Sequence, residues 1–239
     1  EMSIGDWSSD VCSSDLQGAY LPGAMAPFAR HPGVRSVLDE IDRTVAPTGG
    51  GVSDLLLAAP GRPLTELLAA EPVGLQLALF GTSVALFGEI ADTVGEADVL
   101  MGHSLGEIAA LTAAGALTVA DGARIVAART TRLIATAPAD GGMLALSAGP
   151  DVAAGLVAAA DDPTVVVAVR NSPRQTVLAG PRPGLSRIAA AASALGVTAT
   201  VLGSPFAFHH PALGVTAASF RAAIADVTVR PLRHRVHSP

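Results

Sequence analysis

Residues 99–107 read Val-Leu-Met-Gly-His-Ser-Leu-Gly-Glu, an apolar run that leads into a Gly-x-Ser-x-Gly turn. The residues that follow, 108–111, are Ile-Ala-Ala-Leu and continue as a helix pattern. This order of strand, turn and helix is typical of a nucleophile elbow, where a serine lies on a strained turn with its hydroxyl exposed above a helix N-terminus. We therefore predict a buried strand over 97–101, Ser104 as a nucleophile, and the N–H of Leu105 as a donor to an oxyanion.

The composition limits the class of protein. A chain of 239 residues is long enough for one large domain or one domain with an insertion. Charged residues make up 15% and the net charge is −6, so we expect no surface for nucleic acid. The most apolar stretch, residues 73–87, is too short and too polar for a membrane span and predicts a buried helix instead. Because no His and Cys cluster has metal-ligand spacing, we expect no bound metal.

The N-terminal residues 1–16 differ in composition from the rest of the chain. They hold the single Cys, the single Trp and a near repeat of Ser-Ser-Asp. This segment resembles translated sequencing-adapter sequence, so we interpret it as non-native and leave it out of the fold prediction. The alternative is an ordinary disordered tail. One Cys allows no disulfide within the chain.

Hydrophobic periodicity predicts three longer helices in the first part of the chain. They are a helix through Val34, Val37, Leu38 and Ile41, a buried helix from Glu71 to about Glu89, and a helix from about Val119 to Thr136. Two short amphipathic turns precede the buried helix, around residues 55–57 and 64–68. Gly115 is expected to end the helix that follows Ser104.

Strands and helices alternate after a hinge at 137–142. Their predicted order is β-α-β-β-α-β, which is typical of a ferredoxin-like fold. The segments are 143–147, 151–159, 164–169, 175–179, 184–195 and 197–202. We therefore predict a small subdomain, 139–203, inserted into a larger α/β domain formed by 17–138 and 204–239.

A serine nucleophile needs a general base, and histidine is the usual one. The six histidines are His31, His103, His209, His210, His234 and His237. His103 is adjacent to the serine, so its side chain is expected to point away from the hydroxyl. His209 and His210 follow a strand and a turn, where the chain returns to the larger domain. The residues alone do not separate these two, and a pair of solvated loop histidines is the alternative.

Three motifs in the right order resemble a known family. They are 102–107 (Gly-His-Ser-Leu-Gly-Glu), Asn171-Ser172-Pro173 with Thr-Val-Leu-Ala-Gly at 176–180, and Ala207-Phe208-His209. Together they resemble the acyltransferase domains of modular polyketide synthases and the malonyl-CoA:acyl-carrier-protein transacylases of fatty acid synthesis. The resemblance covers residues 17–239. It implies an α/β-hydrolase-like domain that carries a ferredoxin-like subdomain.

The resemblance also implies roles for individual residues. Ser104 matches the serine that becomes acylated, and His209, rather than His210, matches the general base. The backbone N–H groups of Gln17 and Leu105 match the two donors of the oxyanion hole.

Arg129 lies 25 residues after the serine and matches an arginine that binds the free carboxylate of the acyl group. A guanidinium suits this role because it forms a bidentate pair with a carboxylate. Arg132, one helical turn later, is the competing candidate, and a solvated helix arginine is the alternative. Gln76 matches a glutamine near the substrate pocket, although a structural hydrogen bond would explain a buried glutamine equally well.

Substrate preference follows from the same resemblance. In the family, Phe at the position of Phe208 and Leu at that of Leu105 go with malonyl units, because a bulky ring would crowd a 2-methyl group. Asn171 is likewise implied near the substrate. The predicted function is a two-step transfer of malonyl from malonyl-CoA to the phosphopantetheine thiol of an acyl carrier protein, in the cytoplasm and beside neighbouring synthase domains. No cofactor or metal is expected to be bound.

Two other functions remain open from the sequence. A serine esterase of the α/β-hydrolase class would use Asp226 with His234 or His237, in the chain order Ser, Asp, His. The family's first strand and C-terminal segment have no counterpart in the sequence, which leaves a truncated, inactive docking fragment as the second alternative.

Overall fold

The computed structural model of the protein describes residues 20–46, 51–58, 61–95, 97–136, 140–204 and 206–238. These residues fall into two compact units, one of residues 133–218 and the other of residues 20–132 and 219–238. Gln17, the N-terminal segment 1–16 and part of the predicted hinge lie outside the described residues. The predicted domain boundaries at 139–203 stay a prediction.

The second of these units, 20–132 with 219–238, is mainly helical. Its α-helices up to residue 136 are α1 (Pro32–Val45), α2 (Ser53–Leu57), α3 (Leu64–Ala70), α4 (Pro72–Val94), α5 (Leu105–Ala113) and α6 (Val119–Thr136), the last of which continues beyond the unit. The predicted α1 is confirmed, with Val34, Leu38 and Ile41 buried on one face. The segments predicted as amphipathic turns are the short helices α2 and α3. Gly115 follows α5 with φ +80°, which confirms that the helix ends there.

Helix α4 is the core of this unit. By length and composition it could cross a membrane, but 56% of its apolar window is buried, as expected for a core helix. It begins at Pro72, where proline suits the first helical turn, and it extends past the predicted end to Val94. Phe80 is fully buried in it, and both α1 and α5 pack against it. The predicted buried helix is therefore confirmed.

Strand β1 (Val99–Met101) pairs in parallel with β6 (Arg235–His237). The prediction that this strand is buried is wrong, because Val99 is 46% exposed and Met101 is 70% exposed. Within the described part of the chain, β6 is the only strand that pairs with β1. Apolar residues of a parallel strand are normally covered by neighbouring strands and by helices on both faces, and here that cover is incomplete.

The unit of residues 133–218 is built on a four-stranded sheet. Its elements are β2 (Gly141–Leu146), α7 (Pro150–Ala159), β3 (Val166–Ser172), β4 (Gln175–Pro181), α8 (Arg182–Ala194) and β5 (Ala199–Val201), followed by a 3₁₀ helix over Pro211–Thr216. Helix α9 (Ala217–Ala223) begins directly after it, and most of its residues belong to the other unit. The order β-α-β-β-α-β is the predicted one. The strands lie in the order β3-β4-β2-β5, and every neighbouring pair is antiparallel.

Both faces of this sheet are covered, which explains why every residue of β2 is buried. Side chains of a strand alternate between the two faces. Leu144 and Leu146 pack with residues of α7 and α8. Met143 and Ala145 pack on the other face, where Phe208 closes the cluster. Phe208, the residue before His209, thereby fixes this part of the backbone to the sheet.

Candidate active site

Ser104 occupies the turn between β1 and α5. Its backbone has φ +55° and ψ −113°, a region that residues other than glycine rarely adopt. A Cβ on Gly102 would collide with the carbonyl oxygen of Gly106, so only glycine fits where the two backbone segments cross. The predicted strained turn between a strand and a helix is therefore present, and the role of Ser104 as a nucleophile stays a prediction.

We expect Gly102→Ala to destabilise the protein by about 3 kcal/mol or more, because the new methyl group meets backbone atoms that cannot move aside. Gly88→Ala is the matched control, since a Cβ there meets no atom within 4 Å and the position is helical. Alanine should stabilise that helix by roughly 0.5–1 kcal/mol. Urea unfolding of both variants measures the difference, and equal midpoints for Gly102→Ala and the wild type would contradict the tight crossing.

Leu105 is the first residue of α5. Its N–H therefore lies in the first helical turn, where the N–H groups lack intrahelical acceptors. The next two N–H groups bond to nearby backbone carbonyls. Gly106 N–H donates to the His103 carbonyl oxygen at 2.9 Å, and Glu107 N–H donates to the Ser104 carbonyl oxygen at 3.1 Å. The Leu105 side chain is buried, which anchors the start of the helix. The helix dipole adds a partial positive charge at the same end. The second predicted donor, Gln17, lies outside the described residues.

Arg129 lies beside the serine. Its Nη2 donates to the Ser104 Oγ at 3.1 Å, and the side chain is half-buried. Helix α6 buries Val126 and Thr130, so Arg129 lies at the edge of the buried face. The competing Arg132 donates instead to the carbonyls of Ser219 at 3.0 Å and Ala128 at 3.2 Å. The structure thus brings Arg129, and not Arg132, to the predicted nucleophile.

His209 and His210 lie in the other unit, and their environments differ. His209 is exposed and has φ +59°. The His210 ring is engaged at both nitrogens, because Nδ1 accepts from the Ala212 N–H at 3.1 Å and Nε2 lies 3.0 Å from the Thr164 carbonyl oxygen. A ring with both nitrogens in structural hydrogen bonds is poorly suited to shuttle protons. The role of His209 as the base stays a prediction.

Positive φ is rare outside glycine, so its distribution is informative. Among the described residues other than glycine it occurs at three positions, Ser104, Asp161 and His209. Two of these three are the predicted nucleophile and the predicted base. Strained backbone of this kind concentrates at functional sites, where the surrounding structure holds it in place.

The other predicted substrate residues are placed as follows. Gln76 is 5% exposed within α4. Phe208 is 8% exposed and stacks edge-on against Phe206, with ring centroids 5.7 Å apart. Asn171 is exposed in the β3–β4 hairpin, and its Nδ2 donates to the Gln175 side chain at 3.0 Å. Their roles towards a substrate stay predictions.

The residues of the esterase alternative have other partners. Both carboxylate oxygens of Asp226 lie 2.7 Å from Nη2 of Arg124, and this hydrogen bond holds the pKa of the Asp226 carboxyl below its ordinary value. The His234 ring packs edge-on against Phe87, with centroids 5.8 Å apart. In the part of the chain that the structure describes, no group of three His, Cys, Asp or Glu side chains could hold a metal ion.

Sequence reasoning missed the cap formed by His210. The side chain of His210 caps the 3₁₀ helix that starts at Pro211. The available signal was the proline, because proline favours the first helical position and marks the residue before it as an N-cap.

Comparison with known proteins places this geometry in context. A family model described as the acyl transferase domain matches residues 24–238. One phenolphthiocerol/phthiocerol polyketide synthase polypeptide of Mycobacterium tuberculosis is 40% identical over 166 residues, which are 69% of this chain and 10% of that protein. Another polypeptide of the same synthase and organism is 37% identical over 165 residues, and the match covers 8% of its length. The chain thus spans about a tenth of the curated relatives it matches.

Solved structures give similar matches. The acyltransferase domain of the polyketide synthase PpsC of Mycobacterium tuberculosis has a TM-score of 0.80 and 28% identity, over 92% of this chain and 64% of that one. An acyl-carrier-protein S-malonyltransferase from Burkholderia pseudomallei has a TM-score of 0.79 and 27% identity, over 92% of this chain and 71% of that one.

Proposed function

The chain belongs to the acyl transferase domain family found in polyketide synthases, and from this premise we propose that it transfers a malonyl unit. The donor is malonyl-CoA, and the acceptor is the phosphopantetheine thiol of an acyl carrier protein. The reaction runs through an ester on Ser104. Both thioesters are substrates, so the proposal includes no resident cofactor or metal.

In the first step, His209 takes the proton of the Ser104 hydroxyl and Oγ attacks the thioester carbonyl. The oxyanion forms where the N–H groups of Leu105 and Gln17 can donate to it. The carbon–sulfur bond then breaks, and His209 returns the proton to the CoA thiolate. The product is malonyl-Ser104 and free CoA.

In the second step, the carrier thiol gives its proton to His209 and its sulfur attacks the malonyl ester. The same donors hold the second oxyanion. The bond to Oγ breaks, and the proton passes from His209 to Ser104, which regenerates the enzyme. A single base thus serves both half-reactions because each needs one proton removed and one returned.

The observation that carries the proposal is the contact between Arg129 and Ser104, 3.1 Å from Nη2 to Oγ. The malonyl carboxylate lies one methylene beyond the ester carbonyl, so a cation beside Oγ is within reach of it. A guanidinium favours an acyl group with a free carboxylate over a neutral one. A simple esterase for neutral acyl groups has no need of an arginine at this place.

The finer fold and context belong to the same proposal. We assign the unit of residues 133–218 to a ferredoxin-like subdomain, supported by the strand order β3-β4-β2-β5, and the other unit to an α/β-hydrolase-like subdomain, supported by the elbow. The named relatives are polyketide synthase polypeptides far longer than this chain. Neighbouring synthase domains and a carrier protein are therefore the proposed partners, and the cytoplasm, where CoA thioesters are made, is the proposed location.

We expect intact-mass spectrometry to detect a malonyl adduct after incubation with malonyl-CoA. In equal mixtures with methylmalonyl-CoA, malonyl should be preferred by about tenfold or more, because one methyl group in a confined pocket costs ~1–3 kcal/mol. Equal adducts would contradict the malonyl preference. Rapid release of free malonate without transfer to carrier protein would favour the esterase, and a folded chain that forms no adduct would favour the docking fragment.

A further inference from the structure

The His210 side chain ties two segments of one unit together. Its Nδ1 accepts from the Ala212 N–H at 3.1 Å, which caps the 3₁₀ helix, and its Nε2 lies 3.0 Å from the Thr164 carbonyl oxygen. A carbonyl only accepts, so Nε2 must carry the proton and Nδ1 must be bare. One neutral tautomer satisfies both contacts.

The acceptor of this contact is itself held in place. The Thr164 N–H donates to Asp162 Oδ1 at 3.0 Å, the Thr164 hydroxyl donates to the same oxygen, and Arg187 pairs with Oδ2. These contacts hold the pKa of the Asp162 carboxyl below its ordinary value, and the hydrogen bond from the Thr164 hydroxyl contributes most. These hydrogen bonds hold the Thr164 backbone in place, so its carbonyl oxygen is a fixed acceptor for the His210 ring.

His209 lies between two anchored neighbours. Phe208 on one side is buried against the sheet, and His210 on the other is hydrogen-bonded at both ring nitrogens. The left-handed backbone of His209, at φ +59°, is strained for a residue with a Cβ and persists only if its surroundings impose it. The anchors on both sides supply that constraint.

We propose that His210 is a positioning residue, which holds His209 in its left-handed conformation and so aims the His209 imidazole. The inference rests on the proposed function, in which His209 is the general base. A serine at position 210 could cap the helix but could not also reach the Thr164 carbonyl, because its side chain has a single polar atom. The imidazole spans both contacts.

The test compares His210→Ala, His210→Asn and His210→Gln in single-turnover acylation with malonyl-CoA. Asn offers an oxygen near the place of Nδ1, and Gln offers a donor near the place of Nε2, so each retains one contact. We expect His210→Ala to lower the acylation rate constant about 10- to 100-fold, the range expected for a misplaced catalytic group, with the half-saturating malonyl-CoA concentration within twofold. Asn and Gln should each recover part of the loss.

Two controls separate the possible failures. His31→Ala removes an exposed histidine that pairs with Glu89 and should leave the rate unchanged. His209→Ala should abolish acylation, and if it does not, the proposed base is wrong. If His209→Ala is inactive but His210→Ala matches the wild type, only the positioning role is overturned. A purely structural His210 would be indicated by a melting temperature that falls with the rate and by no rescue from Asn or Gln.

Discussion

Replacing Ser104 with alanine is expected to abolish the malonyl adduct and to lower transfer to carrier protein by at least ~10⁴-fold, as for other serine nucleophiles. The substitution removes only Oγ, so no other side chain on the elbow takes over its chemistry. Alanine and serine share the same Cβ, which leaves the strain of the φ +55° backbone unchanged. The melting temperature should therefore stay close to that of the wild type. Intact-mass spectrometry and a transfer assay give the two readouts.

Ser83→Ala is the matched control for this variant. Ser83 lies in α4, where its hydroxyl donates to the Leu79 carbonyl at 2.9 Å, so the change removes a hydroxyl from the same unit without touching the elbow. Full acylation of Ser83→Ala alongside none of Ser104→Ala would assign the nucleophile. A malonyl adduct that persists in Ser104→Ala would overturn the assignment, and peptide mapping would then locate the true site.

Much of the fold was predictable because its signals are local. The elbow depends on glycines within a few residues of Ser104, and the helix pattern through Val34 and Ile41 depends on periodicity within one helix. The order of strands and helices in the 133–218 unit was likewise predicted, since proline and glycine mark the breaks between elements. The observed bounds of the helices and strands differ from the predicted ones by a few residues, because hydrogen bonds decide where an element ends.

The features that local patterns could not decide depend on contacts between distant residues. The exposure of Met101 depends on which strands flank β1, and no local pattern reports that. The family resemblance favoured Arg129 and left Arg132 as the competitor, and their contacts with Ser104 and Ser219 separate the two in the structure. Likewise, the structural role of His210 is visible only from its contact with the carbonyl of Thr164, a residue distant in the sequence.

The proposed function gives Arg129 two physical roles that a single substitution would remove together. Its contact with Oγ stabilises negative charge on the serine, which would speed the attack on any thioester. Its proposed pairing with the malonyl carboxylate would act only on acyl groups that carry a free carboxylate. The ratio of rates with malonyl-CoA and acetyl-CoA therefore isolates the second role, because the first cancels in the ratio.

We expect Arg129→Ala to lower kcat/KM for malonyl-CoA about 10²-fold relative to acetyl-CoA, because leaving a partly buried carboxylate unpaired costs about 3 kcal/mol, and each 1.4 kcal/mol is tenfold. Arg129→Lys should lose about tenfold, since an ammonium keeps the charge but not the bidentate geometry. Arg132→Ala, one turn along the same helix and bonded to Ser219 and Ala128, is the matched control and should keep the wild-type ratio. If Arg129→Ala lowered both rates equally, the arginine would act only on the serine oxygen, and the choice of a dicarboxylic acyl group would have to come from another residue.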